Sequence, residues 1–287
     1  MKQSAGLFSL VAIALAAGAS AAQADVLGQI RKTGELRVGM RNAAAPFSFR
    51  TGKDQWTGIC PAGLEVVRAE VETSLKRPVR LVIEESSITA TSPENRFTGV
   101  RDGRFALECG PNTILRQAPA GVTFSLPFYI TGTYLLANPA NSLRLKPNGF
   151  MENATIGVLE NTVTSQFFEA RYPQAKIVTF KGNQGRQAGI KAAMDGTIDA
   201  FGGEGIVLAY EAKLLGFKPD QFRIIPRKDP LTCVAYGLIL PSSDKPWINF
   251  VNDLLLDEAK RQPLRDAIVR QIPDYVDLAV ETQEACS

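Results

Sequence analysis

Two stretches of the chain follow one pattern. Gly99 to Gly110 (GVRDGRFALECG) and Ala193 to Gly203 (AMDGTIDAFGG) each run from a helical pattern through Asp-Gly into an apolar strand that stops at glycine. The first closes a series in which Glu35 to Met40 (ELRVGM) reads as a strand. Pro61 to Leu75 follows with Leu64, Val67, Val71 and Leu75 at helical spacing, and Arg80 to Glu84 is a second strand. Ser92-Pro93-Glu94 then reads as a helix start, with serine as cap and proline at the first helical position, and Phe105 to Glu108 as a third strand. The second series repeats the plan. Ala154 to Leu159 and Lys176 to Phe180 are strands, and Asn161-Thr162 can cap the helix between them. A helix from about Gln187 ends at Asp195-Gly196, before the strand Ile198 to Phe201. The repeat is short, but its natural reading is an α/β protein of two similar lobes. After the apolar run Val234 to Leu240, helices over Trp247 to Arg261 and Leu264 to Gln271 complete the pattern, and Asn138 to Gly149 is the best internal linker.

The first 24 residues are read apart from the fold. Lys2, the apolar run Leu7 to Ala17 and Ala22-Gln23-Ala24 have the order of a cleavable export signal, so the mature chain is expected to begin at Asp25. No later stretch approaches the ~20 apolar residues that a membrane helix needs, so no membrane insertion is expected after cleavage. The formal charge of +3 becomes +2 without Lys2, and no basic run accompanies it, which argues against nucleic acid as a partner. The chain has no histidine, which removes Ser-His-Asp and Cys-His catalysis and histidine-based zinc sites in their usual forms. Cys60, Cys109, Cys233 and Cys286 lack CxxC spacing, and in an oxidising compartment they suggest two disulfides, with three connectivities open.

In open α/β sheets, ligands gather beyond the carboxyl ends of strands. Four loops qualify here. After Met40, Arg41 precedes three alanines that leave space for its guanidinium, although a surface arginine has the same local sequence. After Glu108 comes Gly110-Pro111-Asn112-Thr113 and then Arg116, a set suited to a carboxylate. After Leu159, Thr162 and Val163 open a helix whose N–H groups favour an anion. After Phe201, Glu204 stands among glycines, either as the partner of an ammonium group or as an ordinary acid in a helix's first turn. Guanidiniums, helix amides and one carboxylate together complement an α-amino acid, whose two charges must each be paired when buried.

Seven segments in order, GELRVGMRNAAAPFSF, TGICPAGLEVV, RFTGVRDGRFALECGPNTILR, FSLPFYITGTYLLA, IGVLENTVTS, DGTIDAFGGE and AYGLILPSSD, resemble the family 3 periplasmic solute-binding proteins, the amino-acid receptors of ABC importers. The resemblance is nearest to the glutamate/aspartate-binding branch. It implies the type II two-lobed α/β fold, with two strand crossings forming a hinge and the ligand cleft between lobes. On that pattern residues 25–130 begin lobe 1, residues 131–235 form lobe 2, and residues 236–287 return to lobe 1 and supply a tail. The resemblance gives the α-carboxylate to Arg116 with Asn112 and Thr113, and the α-ammonium to Glu204. It sets Thr162 and Val163 against the ligand from lobe 2, and matches Arg41 and Arg96 to the arginines that suit an acidic side chain. It further implies Cys60–Cys109 and Cys233–Cys286 disulfides, a periplasmic monomer serving a membrane permease, and neither cofactor nor metal. Two other readings remain at this stage: an enzyme on the same fold, of the cyclohexadienyl dehydratase type, and a loaded partner of a sensor receptor.

Overall fold

A computed structural model describes residues 25–52, 55–89, 92 and 95–286, so the export-signal reading of residues 1–24 lies outside the described residues. Two sheets organise the chain. The first has five strands in the order 80–85, 35–40, 107–109, 239–241 and 122–124. Its first three strands are parallel, and the late strand Ile239–Pro241 runs antiparallel between Leu107–Cys109 and Val122–Phe124. The second sheet takes strands 176–180, 155–159, 200–204, 129–137 and 223–225 in that order, with Thr232–Tyr236 also paired to Tyr129–Ala137.

The chain therefore passes between sheets twice, after Phe124 and after Tyr236. The two crossings lie side by side. Ser125 N–H donates to the Leu238 carbonyl (2.9 Å) and Phe128 N–H to the Tyr236 carbonyl (3.0 Å). Phe47, Tyr129 and Tyr236 pack their rings against this junction, with centroids 5.2–6.3 Å apart. A two-stranded hydrogen-bonded connection packed by aromatics bends more readily than a broad interface does, which is the mechanical requirement for a hinge.

Sequence periodicity places the main elements well. The strands Glu35–Met40 and Lys176–Phe180 and the helix Ile59–Leu75 fall where the pattern sets them, give or take two residues. Three details differ. The helix expected from Ser92-Pro93 begins at Arg96, capped by Asn95, whose side chain accepts from the Phe97 and Thr98 N–H groups; Pro93 and Glu94 lie outside the described residues. The two late helices divide at Asp257, which accepts from the Ala259 and Lys260 N–H groups, and Pro263 lies inside the second of them, Glu258–Gln271. The segment Asn138 to Gly149 joins two strands of the same sheet and starts with a short helix, Pro139–Ser142, so it does not link the lobes.

The disulfides are Cys60–Cys109 and Cys233–Cys286. The first ties the start of helix Ile59–Leu75 to the end of a central strand. The second fixes the last helix, Val276–Ala285, to the strand that enters the second crossing. Each closes a loop of about fifty residues, which in the chain-entropy account stabilises by roughly 3–4 kcal/mol. Trp247, fully buried in helix Lys245–Leu256, donates from Nε1 to the Ala106 carbonyl (2.8 Å) and holds that helix to the first sheet.

Candidate functional site

The carboxyl ends of both sheets face one cleft of about 590 Å³, its open mouth included. From the first sheet's side it is lined by Arg41, Arg96, Asn112 and Thr113, and from the second by Thr162, Val163, Arg186 and Glu204. Seven of the eight ligand residues read from the sequence thus meet at one place. Among the described residues, contacts that join the walls include Ala45 N–H donating to Glu211 Oε1 (3.2 Å), Ser87 Oγ and Ile88 N–H donating to Asn183 Oδ1 (3.4 and 3.5 Å), and the Phe49 ring 5.8 Å from that of Tyr210.

Strand register builds the first wall. Met40 pairs with Cys109, so the residues that follow, Arg41 and Gly110, are neighbours. A Cβ on Gly110 would stand 2.7 Å from Arg41 Nη2, so glycine is what lets the guanidinium lie against the backbone. Arg41 is 4% exposed; its Nη2 donates to Asn112 Oδ1 (3.2 Å), and its Nε lies 3.7 Å from Glu108 Oε1. Glu108 is fully buried, accepting from Ser86 Oγ (2.8 Å) and from the Asn112 amide, so it holds Asn112 and Arg41 in one network. Burial first, then the Arg96 and Arg186 charges, push the Arg41 pKa down to about 9, with Glu108 opposing them. The side chain stays charged at neutral pH. Arg96, the first residue of the helix that Asn95 caps, lies over the Phe97 ring at 4.7 Å. Burial lowers its pKa too, with Glu108 raising it and Arg186 lowering it. The Nε atoms of Arg41 and Arg96 are enclosed and have no hydrogen-bond partner among the described residues.

The second wall is made by helix and strand ends. Thr162 caps the helix Val163–Arg171, accepting from Ser165 N–H (3.1 Å) and donating to the Leu159 carbonyl (2.7 Å). Glu204 ends the strand Ala200–Glu204, is 7% exposed, and accepts from Thr164 Oγ1 (2.8 Å). Tyr236, at the second crossing, is fully buried, and its hydroxyl has no hydrogen-bond partner among the described residues. Burial pushes that hydroxyl's pKa well up, helped by the Glu204 carboxylate, while Arg186 and Arg41 pull it down.

Arg116 stands apart. It is exposed and does not line the cleft. The preceding residues are pinned to the hinge strand: Thr113 bridges Tyr236, Ile114 N–H donates to the Ala235 carbonyl, and Gly237 N–H to the Asn112 carbonyl. That pairing leads the chain outward before residue 116, and the arginines that do line the cleft are Arg41, Arg96 and Arg186. Arg186 is absent from the sequence reading. It lies in the first turn of helix Gly185–Asp195, beyond the carboxyl end of strand Lys176–Phe180. The strand-end rule that nominated four loops nominates this fifth one as well.

No family model matches the chain. It is similar to the glutamate/aspartate import solute-binding protein of Escherichia coli K12, 24% identical over 257 residues, 86% of this chain and 81% of that protein. Among solved structures, the ancestral amino-acid-binding protein AncCDT-1, described as a precursor of cyclohexadienyl dehydratase, superposes with a TM-score of 0.67 at 23% identity. The match covers 86% of this chain and 99% of that one. The fold is that of the two-lobed periplasmic amino-acid-binding proteins. An amino acid ABC transporter substrate-binding protein from Streptococcus pneumoniae, bound to L-arginine, shares it with a TM-score of 0.69 at 19% identity, over 87% of this chain and 98% of that one. Among the described residues of this two-lobed chain, no helix is long and apolar enough to cross a membrane.

Proposed function

We propose that this chain is a periplasmic substrate-binding protein of an ABC importer, and that it takes an acidic α-amino acid by closure of two lobes. One observation carries the reading: three buried or enclosed guanidiniums and one carboxylate, from both sheets, line a single cleft. Formally, Arg41, Arg96 and Arg186 against Glu108 and Glu204 leave one positive charge in excess. An acidic amino acid, carrying one net negative charge, cancels it. Its ammonium group suits Glu204, its two carboxylates suit the arginines with Asn112 and Thr113, and Thr162 and Val163 close over it. Because the walls belong to different sheets, the closed form makes contacts that an open form lacks, and ligand shifts the population toward closure.

Residues 25–130 and 236–287 make one lobe in this reading, and residues 131–235 the other; the protein is exported by residues 1–24 and delivers its ligand to a membrane permease as a monomer. The names of its relatives support an import role. Receptor is preferred to enzyme because Glu204 is the only acid among the described cleft-lining residues, and no histidine, lysine, cysteine or tyrosine stands with it there.

A thermal-shift panel of amino acids tests the proposal. Glutamate or aspartate at a hundredfold over its Kd is expected to add roughly 2.7 kcal/mol of stability. The bound compound should be recovered chemically unchanged. A panel in which no amino acid moves the melting point, or turnover of prephenate or arogenate, would overturn it. Glu204→Gln keeps an acceptor for Thr164 but removes the charge facing the ammonium group. Its expected cost is about a hundredfold in affinity, some 2–3 kcal/mol for a charged hydrogen bond, with the ligand-free melting point nearly unchanged.

A further inference from the structure

We infer that Arg186 sets the net charge of the ligand this cleft accepts. The inference rests on the amino-acid-binding reading above and adds to it the residue that decides between acid and amide. Arg186 is 5% exposed and lines the cleft from the second sheet's side. It is within electrostatic reach of Arg41 and Arg96 across the cleft, each of which it disfavours. Among the described residues Arg41 has Asn112 and Glu108 as polar partners, whereas Arg186 makes no hydrogen bond or ion pair. A buried guanidinium without a fixed counter-charge is costly, and it is relieved by whatever anion enters.

The surroundings of Arg186 offset this charge only in part. Glu211, an acid on which Arg186 acts electrostatically, is fully buried and outside the cleft lining. Its carboxyl is engaged by Ala45 N–H from the opposite wall (3.2 Å) and by Gln187 Nε2 (3.1 Å). Burial raises its pKa, which disfavours its charged form, and Arg186, Gln187 and the Ala45 N–H only partly oppose that rise. Glu204 is turned to Thr164 and Glu108 to Ser86 and Asn112. With Arg186 removed, Arg41 and Arg96 balance Glu108 and Glu204, and the formal charge of the site falls from one positive to zero. A neutral cleft matches a zwitterion with an uncharged side chain. The position of Arg186 on the second wall also means that its contribution is felt only when the walls meet, so the same residue links ligand charge to closure.

The test is calorimetry of glutamate, glutamine, aspartate and asparagine with wild-type protein, Arg186→Gln and Arg186→Lys. We expect wild type to prefer each acid over its amide. Arg186→Gln should reduce that preference at least tenfold, mainly by weakening the acids, and Arg186→Lys should restore part of it. A residue that only supports the fold would weaken acid and amide together and leave the ratio fixed, so an unchanged ratio in Arg186→Gln overturns the inference while wild-type acid binding upholds the underlying reading. If wild type binds none of the four, the reading itself fails and takes the inference with it. Glu211→Gln gives a check that leaves Arg186 in place: it removes a buried acid within electrostatic reach of the guanidinium, and a fall in acid preference there would also count against the assignment.

Discussion

Arg41→Met is expected to abolish measurable binding of acidic amino acids, with a loss of a hundredfold to a thousandfold in affinity, and to lower the ligand-free stability by about 3 kcal/mol. The two effects have different origins. The affinity loss follows from removing a guanidinium held ready in the cleft, enclosed by Gly110 and oriented by Asn112. The stability loss follows from what is left behind. Glu108 remains fully buried without the nearby positive charge, although Ser86 and Asn112 still donate to it, which places the cost at the lower end of the range for a broken buried pair. Adding Glu108→Gln to Arg41→Met separates the two. The double variant should regain most of the melting temperature and none of the binding. Recovery of binding would mean that Arg41 acts on the fold and not on the ligand.

Gly58→Ala is expected to be the most damaging change of similar size outside the charged cluster. Gly58 has φ 124° and ψ −171°, a conformation essentially confined to glycine, and it precedes helix Ile59–Leu75. A methyl group there would stand 2.5 Å from the Phe47 carbonyl oxygen and 2.6 Å from that of Pro46, and both belong to backbone. Those same carbonyls accept from the Cys60 N–H (2.8 Å) and the Ile59 N–H (3.0 Å), satisfying two of the helix's unpaired donors. The methyl group cannot enter without parting the loop from the helix. Backbone strain of about 1–3 kcal/mol and overpacking of similar size predict a fall in melting temperature on the order of 5–10 °C. Affinity should fall as well. The displaced loop carries Ala45, which reaches Glu211 across the cleft, and Phe47, which packs on the crossing tyrosines. A variant melting within about 2 °C of wild type would show that the loop yields more easily than its contacts imply.

The parts of the fold that were legible in the sequence are those written in local periodicity. Glu35–Met40 alternates, with Leu36, Val38 and Met40 buried on one face of the pleat and Glu35 and Arg37 on the other, and a period of two announces itself. Thr162 could be read as a cap because capping depends on residues three apart. The helix starts after Asn95 and not at Ser92 because the Asn95 side chain is fixed by its Nδ2 hydrogen bond to the Thr89 carbonyl and accepts from the first helical N–H groups. Of the site, Arg41 was nominated by strand position, although its burial depends on Gly110, which is adjacent only in the folded sheet. Arg116 lies outside the cleft for a similar reason. The bridge from Thr113 to Tyr236 joins residues more than a hundred positions apart, and no local pattern records it. Arg186 carries the same strand-end signal, but Gln184-Gly185-Arg186 has no motif beside it that marks a ligand.

The place of strand Ile239–Pro241 has a consequence for the order in which the molecule is made. The six strands of the second sheet come from one unbroken run, residues 129–236, whereas the first sheet lacks a central member until residues 239–241 arrive. During synthesis Leu107–Cys109 therefore waits with one open edge, and Val122–Phe124 waits with no neighbour, while more than a hundred further residues emerge. An open strand edge invites pairing with other chains. The nascent protein is then most prone to aggregate while its second half is complete and its first is not. A circular permutant that begins near residue 239 would supply the missing strand first, and it should refold faster and with less loss to aggregation.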